Sequence, residues 1–171
     1  MKKLAILLIA VLASVAGASA MSLKDAFGAL SKVENIQTVQ PDYNLPVIPD
    51  VINDYRIAAA YNLDAENILK TGNAALDILN QLPLTEMING ANNNQVAAFV
   101  FTEPNDAGTN DILVVAMSGY RGSVVCIYGT VDNDTRYAIQ QAPLQMEGSY
   151  LSLNATMADG NEFNIILSKA R

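Results

Sequence analysis

Two apolar runs, Ile112–Met117 and Val124–Val131, are separated only by Ser118-Gly119-Tyr120-Arg121-Gly122-Ser123, and they constrain this chain more than any other feature. β-branched runs either side of a turn containing Gly and Ser specify a β-hairpin with a loop of about four to six residues. Alternation along the strands puts Ile112, Val114 and Ala116 on one face of a sheet and Leu113, Val115 and Met117 on the other. In the second strand Val124, Cys126 and Tyr128 oppose Val125, Ile127 and Val131. Neither face is polar. Protein must therefore cover both, and the hairpin belongs at the centre of a sheet.

Residues 1–20 read as a leader that is not part of the fold. Lys2 and Lys3 form a positive start, Leu4–Val15 an apolar core, and Ala18-Ser19-Ala20 a small-residue cleavage site. About a dozen apolar residues are too few for a membrane span, which needs roughly 20. No Cys follows the cleavage site, so a lipid anchor is not expected. The expectation is an exported protein, periplasmic or secreted, cleaved near Ala20 and not membrane-spanning in its mature form.

The remainder, 21–171, has the length of one domain and can bury roughly 68–70% of its unfolded surface without a metal or disulfide. One Cys cannot form an intramolecular bridge. Of ten basic residues two, Lys2 and Lys3, fall in the leader. That leaves eight against 17 acidic ones, a formal charge of −9. This balance argues against nucleic acid or an anionic membrane as partner.

An amphipathic helix is expected first, with Ser22 and Asp25 as its cap and Leu23, Ala26, Phe27 and Leu30 as its buried stripe. Asn35–Gln40 reads as a short strand. Pro41, Pro46 and Pro49 exclude a long regular element before Asp50. Val51–Tyr61 fits helix by its alanines and strand by the alternation of Tyr55, Ile57 and Tyr61. Asp64 then caps a helix whose stripe is Ile68, Ala75, Leu76 and Leu79, reaching Leu82 before Pro83 ends it. Gly72 in that stripe points to close approach to the sheet. Leu84–Ile88 reads as a further turn and Gly90–Asn94 as a loop. Val96–Thr102 is a strand, and a polar stretch runs from Asp132-Asn133-Asp134 to Pro143. Leu151, Leu153, Ala155 and Met157, then Phe163, Ile165 and Leu167, alternate with polar residues around Asp159-Gly160. The sum is an α+β domain: a mostly antiparallel sheet of five or six strands, two or three helices on one face, and C-terminal β-hairpins.

The order helix, short strand, helix, L-T-E-M-I, V-A-A-F-V-F, D-I-L-V-V and V-V-C-I-Y-G-T-V-D resembles a family of small exported Bacteroidetes proteins, domain of unknown function 4252. The likeness covers about Ser22–Asp132, and its sharpest part ends in Gly129-Thr130-Val131-Asp132. It implies that Tyr55–Asn62 is a strand. It implies no activity, because the family has no assigned catalytic residues. The hairpin Ser149–Leu167 and an acidic, Asn-rich surface depart from it.

The chain has no histidine, which removes Ser-His-Asp and Cys-His catalysis and histidine-ligated zinc. Cys126 lies mid-strand between Val125 and Ile127 and is expected to be buried and inert. Asp132-Asn133-Asp134 opens like a calcium loop, but Arg136 and Tyr137 stand where an acid and a Gly are required, so a polar turn is the better reading. Asp106, Asn110 and Asp111 could supply oxygen ligands around a Gly turn, but hairpin chemistry is again the better reading. Gly119-Tyr120-Arg121-Gly122 joins two strands and opens no helix, so it cradles no phosphate. No cofactor motif and no catalytic residue is assigned. Tyr120 and Arg121, at the hairpin tip, are the exposed contact candidates. Two function classes remain: a non-catalytic envelope module binding a protein or envelope component, and a glycosidase-like hydrolase using a pair of carboxylates. A cleft with two facing carboxylates, one of raised pKa, would favour the hydrolase. A smooth apolar face or edge would favour the binding module or a homodimer.

Overall fold

A computed structural model describes residues 21–40, 46–93, 95–147 and 150–168. The leader expected at 1–20 lies outside them. The first helix, α1 (Leu23–Leu30), is capped by Ser22, whose hydroxyl accepts the Asp25 backbone N–H, and buries the expected Leu23, Ala26, Phe27 and Leu30. Two strands follow, β1 (Gln37–Val39) and β2 (Asn53–Ala60), then the helix α2 (Ala65–Leu79) with Asp64 as its cap. The ambiguous stretch is thus a strand. Its first half is exposed and only Ile57–Ala60 is buried, which is why its periodicity reads poorly.

A 3-10 turn at Leu84–Glu86 leads into β3 (Met87–Asn92), β4 (Val96–Pro104), β5 (Asn110–Ser118) and β6 (Ser123–Val131). The Gly90–Asn94 loop expected from sequence is corrected here, since most of it lies in β3. Asn89, Gly90 and Asn92 are poor strand formers, but pairing with β4 overrides that preference. The six strands form one antiparallel sheet in the order β1-β2-β6-β5-β4-β3. The central hairpin, β5 with β6, keeps its register from Asn110–Val131 to Ser118–Ser123.

The polar stretch after Asp132 is the second correction. It contains a helix, α3 (Asn133–Gln141), capped by Asp132 and burying only Thr135, Ala138 and Ile139. So narrow a stripe on so polar a segment gives little periodic signal. Asn89 fixes this helix to the sheet edge: its Nδ2 donates to the carbonyl oxygens of Ile139 and Ala142, both at 2.8 Å. The Ile139 carbonyl also accepts the Ala142 N–H at 3.2 Å, so Asn89 adds a second bond to it where the helix ends. A second sheet follows, β7 (Leu144–Glu147), β8 (Tyr150–Thr156) and β9 (Glu162–Ser168), in the order β7-β8-β9.

The large sheet is covered on both sides, as its two apolar faces require. Leu113, Val115, Met117, Val124, Cys126 and Tyr128 pack under α1 and α2. Ile112, Val114, Ala116, Val125, Ile127 and Val131 pack against α3 and the inner residues Leu151, Leu153, Ala155, Ile165 and Leu167 of the second sheet. The segment before β2 contributes Ile52, with Ile48 and Val51 beside it, and Val47 exchanges two backbone hydrogen bonds with Ile166. Two helices therefore share one face, and the third lies with the small sheet on the other.

The hairpin tip is clamped. Gly119 N–H donates to the Gln95 carbonyl at 2.7 Å, and Leu63 N–H donates to the Gly122 carbonyl at 2.9 Å. Gly122 has φ +56°, and a Cβ there would lie 2.0 Å from the Leu63 carbonyl oxygen. Only glycine fits.

Candidate functional site

Strand alternation and register bring five polar side chains to the helix-side face at one end of the large sheet. Glu103 on β4 lies opposite Asp111 on β5, in step with Phe101 and Leu113 on that face. Tyr128 on β6 pairs with Leu113, and Arg56 on β2 pairs with Tyr128. Glu86, in the turn just before β3, completes the row beside Glu103. The first turn of α1 closes over it, and the Leu23 backbone N–H donates to Glu103 Oε1 at 2.8 Å.

Two of these groups, Tyr128 and Asp111, are committed to one another. The Tyr128 hydroxyl donates to Asp111 Oδ2 at 2.9 Å, and Asn105 Nδ2 donates to Asp111 Oδ1 at 2.9 Å. Burial, then the bond to Asp111, pushes the Tyr128 phenol up to about 12. The Tyr128 ring stacks at a tilt on Phe27, with centroids 5.8 Å apart. Glu86 differs. Its Oε2 is buried with no hydrogen-bond partner among the described residues. Burial, with the like charge of Glu103 second, raises its carboxyl to about 7. Among the described residues no three Asp, Glu, Cys or His side chains are grouped to hold a metal ion.

A separate cavity of about 320 Å³ opens on the same face at the β3 edge. Leu76, Leu79 and Asn80 of the α2 end line it, with Met87, Gly90, Ala91 and Asn92 of β3 and Phe99 and Phe101 of β4. Its origin is geometric. Two helices about 10 Å apart cannot span six strands spaced at about 4.8 Å, so the margin of the sheet is left open. Gly90 adds room: a Cβ there would sit 3.4 Å from the Phe99 ring and 3.5 Å from Met87 Sδ. The size suits a small ligand or a large side chain. No titratable side chain lines it.

Tyr120 and Arg121 are at the other end of β5, on the order of 25 Å from Asp111. Tyr120 is 62% exposed, whereas Arg121 is half-buried and engaged at the tip. The structure brings neither to the carboxylate row. Asp132 caps α3: its side chain accepts the Thr135 N–H at 2.7 Å, and that bond holds its carboxyl below the usual range. Asn110 donates to Asn133 Oδ1 at 2.9 Å. Cys126 is fully buried, which pushes its thiol up to about 12.

Glu86, Glu103 and the cavity lining were not singled out from sequence. Glu86 and Glu103 lie 17 positions apart and meet only because β3 pairs with β4, and half of β3 reads as a loop. No family model matches the chain, and no curated protein or solved structure matches it either.

Proposed function

We propose that the chain is an exported, non-catalytic binding module of the bacterial envelope, cleaved near Ala20, that takes an apolar group of its partner into the cavity beside β3. The same proposal groups it with the small exported Bacteroidetes proteins it resembles. One observation carries the reading: the cavity at the β3 margin is lined by apolar and amide side chains alone. Of the carboxylates a hydrolase would need free, Glu103 has one oxygen and Asp111 both oxygens occupied by structural donors. Titration of the mature protein with the neutral dye N-phenyl-1-naphthylamine tests it. Saturable binding, lost in Gly90→Leu at unchanged melting temperature, is the expected result. Binding that ignores this substitution sinks the cavity assignment. N-terminal sequencing from the native host should begin at or near Met21, and a full-length cytoplasmic product would end the export reading.

A second reading, the carboxylate-dependent hydrolase, is favoured by one feature, the raised carboxyl of Glu86 beside Glu103. It expects turnover of aryl glycosides that Glu86→Gln abolishes. No turnover by the native protein rejects it.

A further inference from the structure

The described part of this acidic chain has few cations, and half of them meet in one place. Lys70 pairs with Glu34 at 2.6 Å, Arg136 Nε donates to Thr102 Oγ1 at 2.9 Å, and Arg121 is engaged at the hairpin tip. The others, Lys24, Lys32 and Arg56, line a single open groove of about 810 Å³ between α1 and the β1–β2 margin. Among the described residues none of the three forms a salt bridge. One carboxylate, Asp25, shares the groove.

The groove is built as a trough. Lys24 and Lys32 stand eight positions apart along and just beyond α1, about 12 Å at helical rise. Arg56 faces them from β2, next to the Tyr128 ring. Between the lysines Gly28 leaves the helix surface bare, and nothing lies within 4 Å of where its Cβ would be. A compact ion would meet one lysine and leave the rest of the trough empty. An extended ligand with anionic groups about 12 Å apart would satisfy both lysines, and a carboxylate or sulfate on its flank would suit the guanidinium fork.

We infer that this groove binds an acidic oligosaccharide, its carboxylate or sulfate groups held by Lys24, Lys32 and Arg56. Nucleic acid fits less well, because the groove also holds Asp25, Ser31 and Thr38, whose oxygens suit the many hydroxyls of a sugar chain and have little to bond along a line of phosphates. The site is independent of the cavity beside β3 and lies at the opposite margin of the sheet.

Isothermal titration of the mature protein with an oligogalacturonate hexamer and a heparin-derived hexasaccharide, at 50 mM salt, tests the inference and separates carboxylate from sulfate recognition. At least one should bind, with log affinity falling linearly against log salt at a slope of about −1 to −3. Arg56→Glu, and Lys24→Glu with Lys32→Glu, should each weaken binding at least tenfold. Gly28→Trp should weaken it by obstruction alone, and its melting temperature shows whether the helix survives. Lys70→Glu, outside the groove, and Gly90→Leu, in the cavity, should leave it unchanged. Failure of both glycans to bind overturns the inference. So does an equal loss in Lys70→Glu, or a single-stranded oligonucleotide of matched charge binding as tightly as the better glycan.

Discussion

Glu86→Gln should stabilise this protein at alkaline pH and leave its stability almost unchanged at acid pH. The Glu86 carboxyl ordinarily loses its proton near 4.5, while in the folded chain burial and Glu103 raise that point to about 7. Below 4.5 both folded and unfolded chains carry the proton, and the site costs nothing. Between 4.5 and about 7 the unfolded chain releases it while the folded chain holds it, so stability falls as pH rises through this window. The full interval would correspond to a ceiling of ~3.4 kcal/mol. The side chain is only partly buried, so solvent screening brings the expected penalty to about 1 kcal/mol. Gln has the shape of the protonated acid and escapes that penalty. Thermal melts of both proteins at pH 5 and pH 8.5 provide the assay. A gain of about 2–4 °C for the variant at pH 8.5, and a much smaller one at pH 5, is expected for a domain of this size. A pH-independent difference, or a less stable variant at pH 8.5, would refute the argument that the Glu86 charge is held against desolvation.

Gly122→Ala should cost more than about 2 kcal/mol, because its φ disfavours a side chain and the Leu63 backbone must move; equal chemical-denaturation midpoints would disprove the clamp at the hairpin tip. Cys126 should react slowly with a thiol reagent in native buffer and quickly after denaturation, whereas equal rates would break the central-strand assignment. Asp132→Ala should destabilise by about 1 kcal/mol at pH 7 by removing the α3 cap. The folded carboxyl of Asp132 is depressed, so this difference should fade as pH falls below about 4, and a constant difference down to pH 2 would count against it.

How legible each element was follows from what holds it. The central hairpin is fixed by side-chain alternation, so the face of every residue from Ile112 to Met117 could be assigned from sequence. The helix α1 carries both its cap and its stripe locally. By contrast β3 is held by backbone pairing to β4 and by the Asn89 side chain, and α3 by a cap and two well-buried apolar residues. The pairing of β3 with its neighbour runs through backbone rather than a side-chain pattern, and the tie from Asn89 to the Ile139 and Ala142 carbonyls spans 50 and 53 positions, which no window of sequence displays. The approach of Glu86 to Glu103 shared that invisibility, since the pairing of β3 with β4 creates it.

The placement of β2 beside β6 sets a clock on folding. Ile57–Ala60 have only the three residues of β1 to pair with until Val124–Ile127 exist, and the Leu23 N–H waits for Glu103. Synthesis at about 5–20 residues per second puts roughly 4–14 s between the emergence of Ala60 and that of Val131. Pairings so distant in sequence also fold slowly once the whole chain is present. Through that interval the amino-terminal half has only its two helices and the short β1–β2 ladder, with no large sheet to cover.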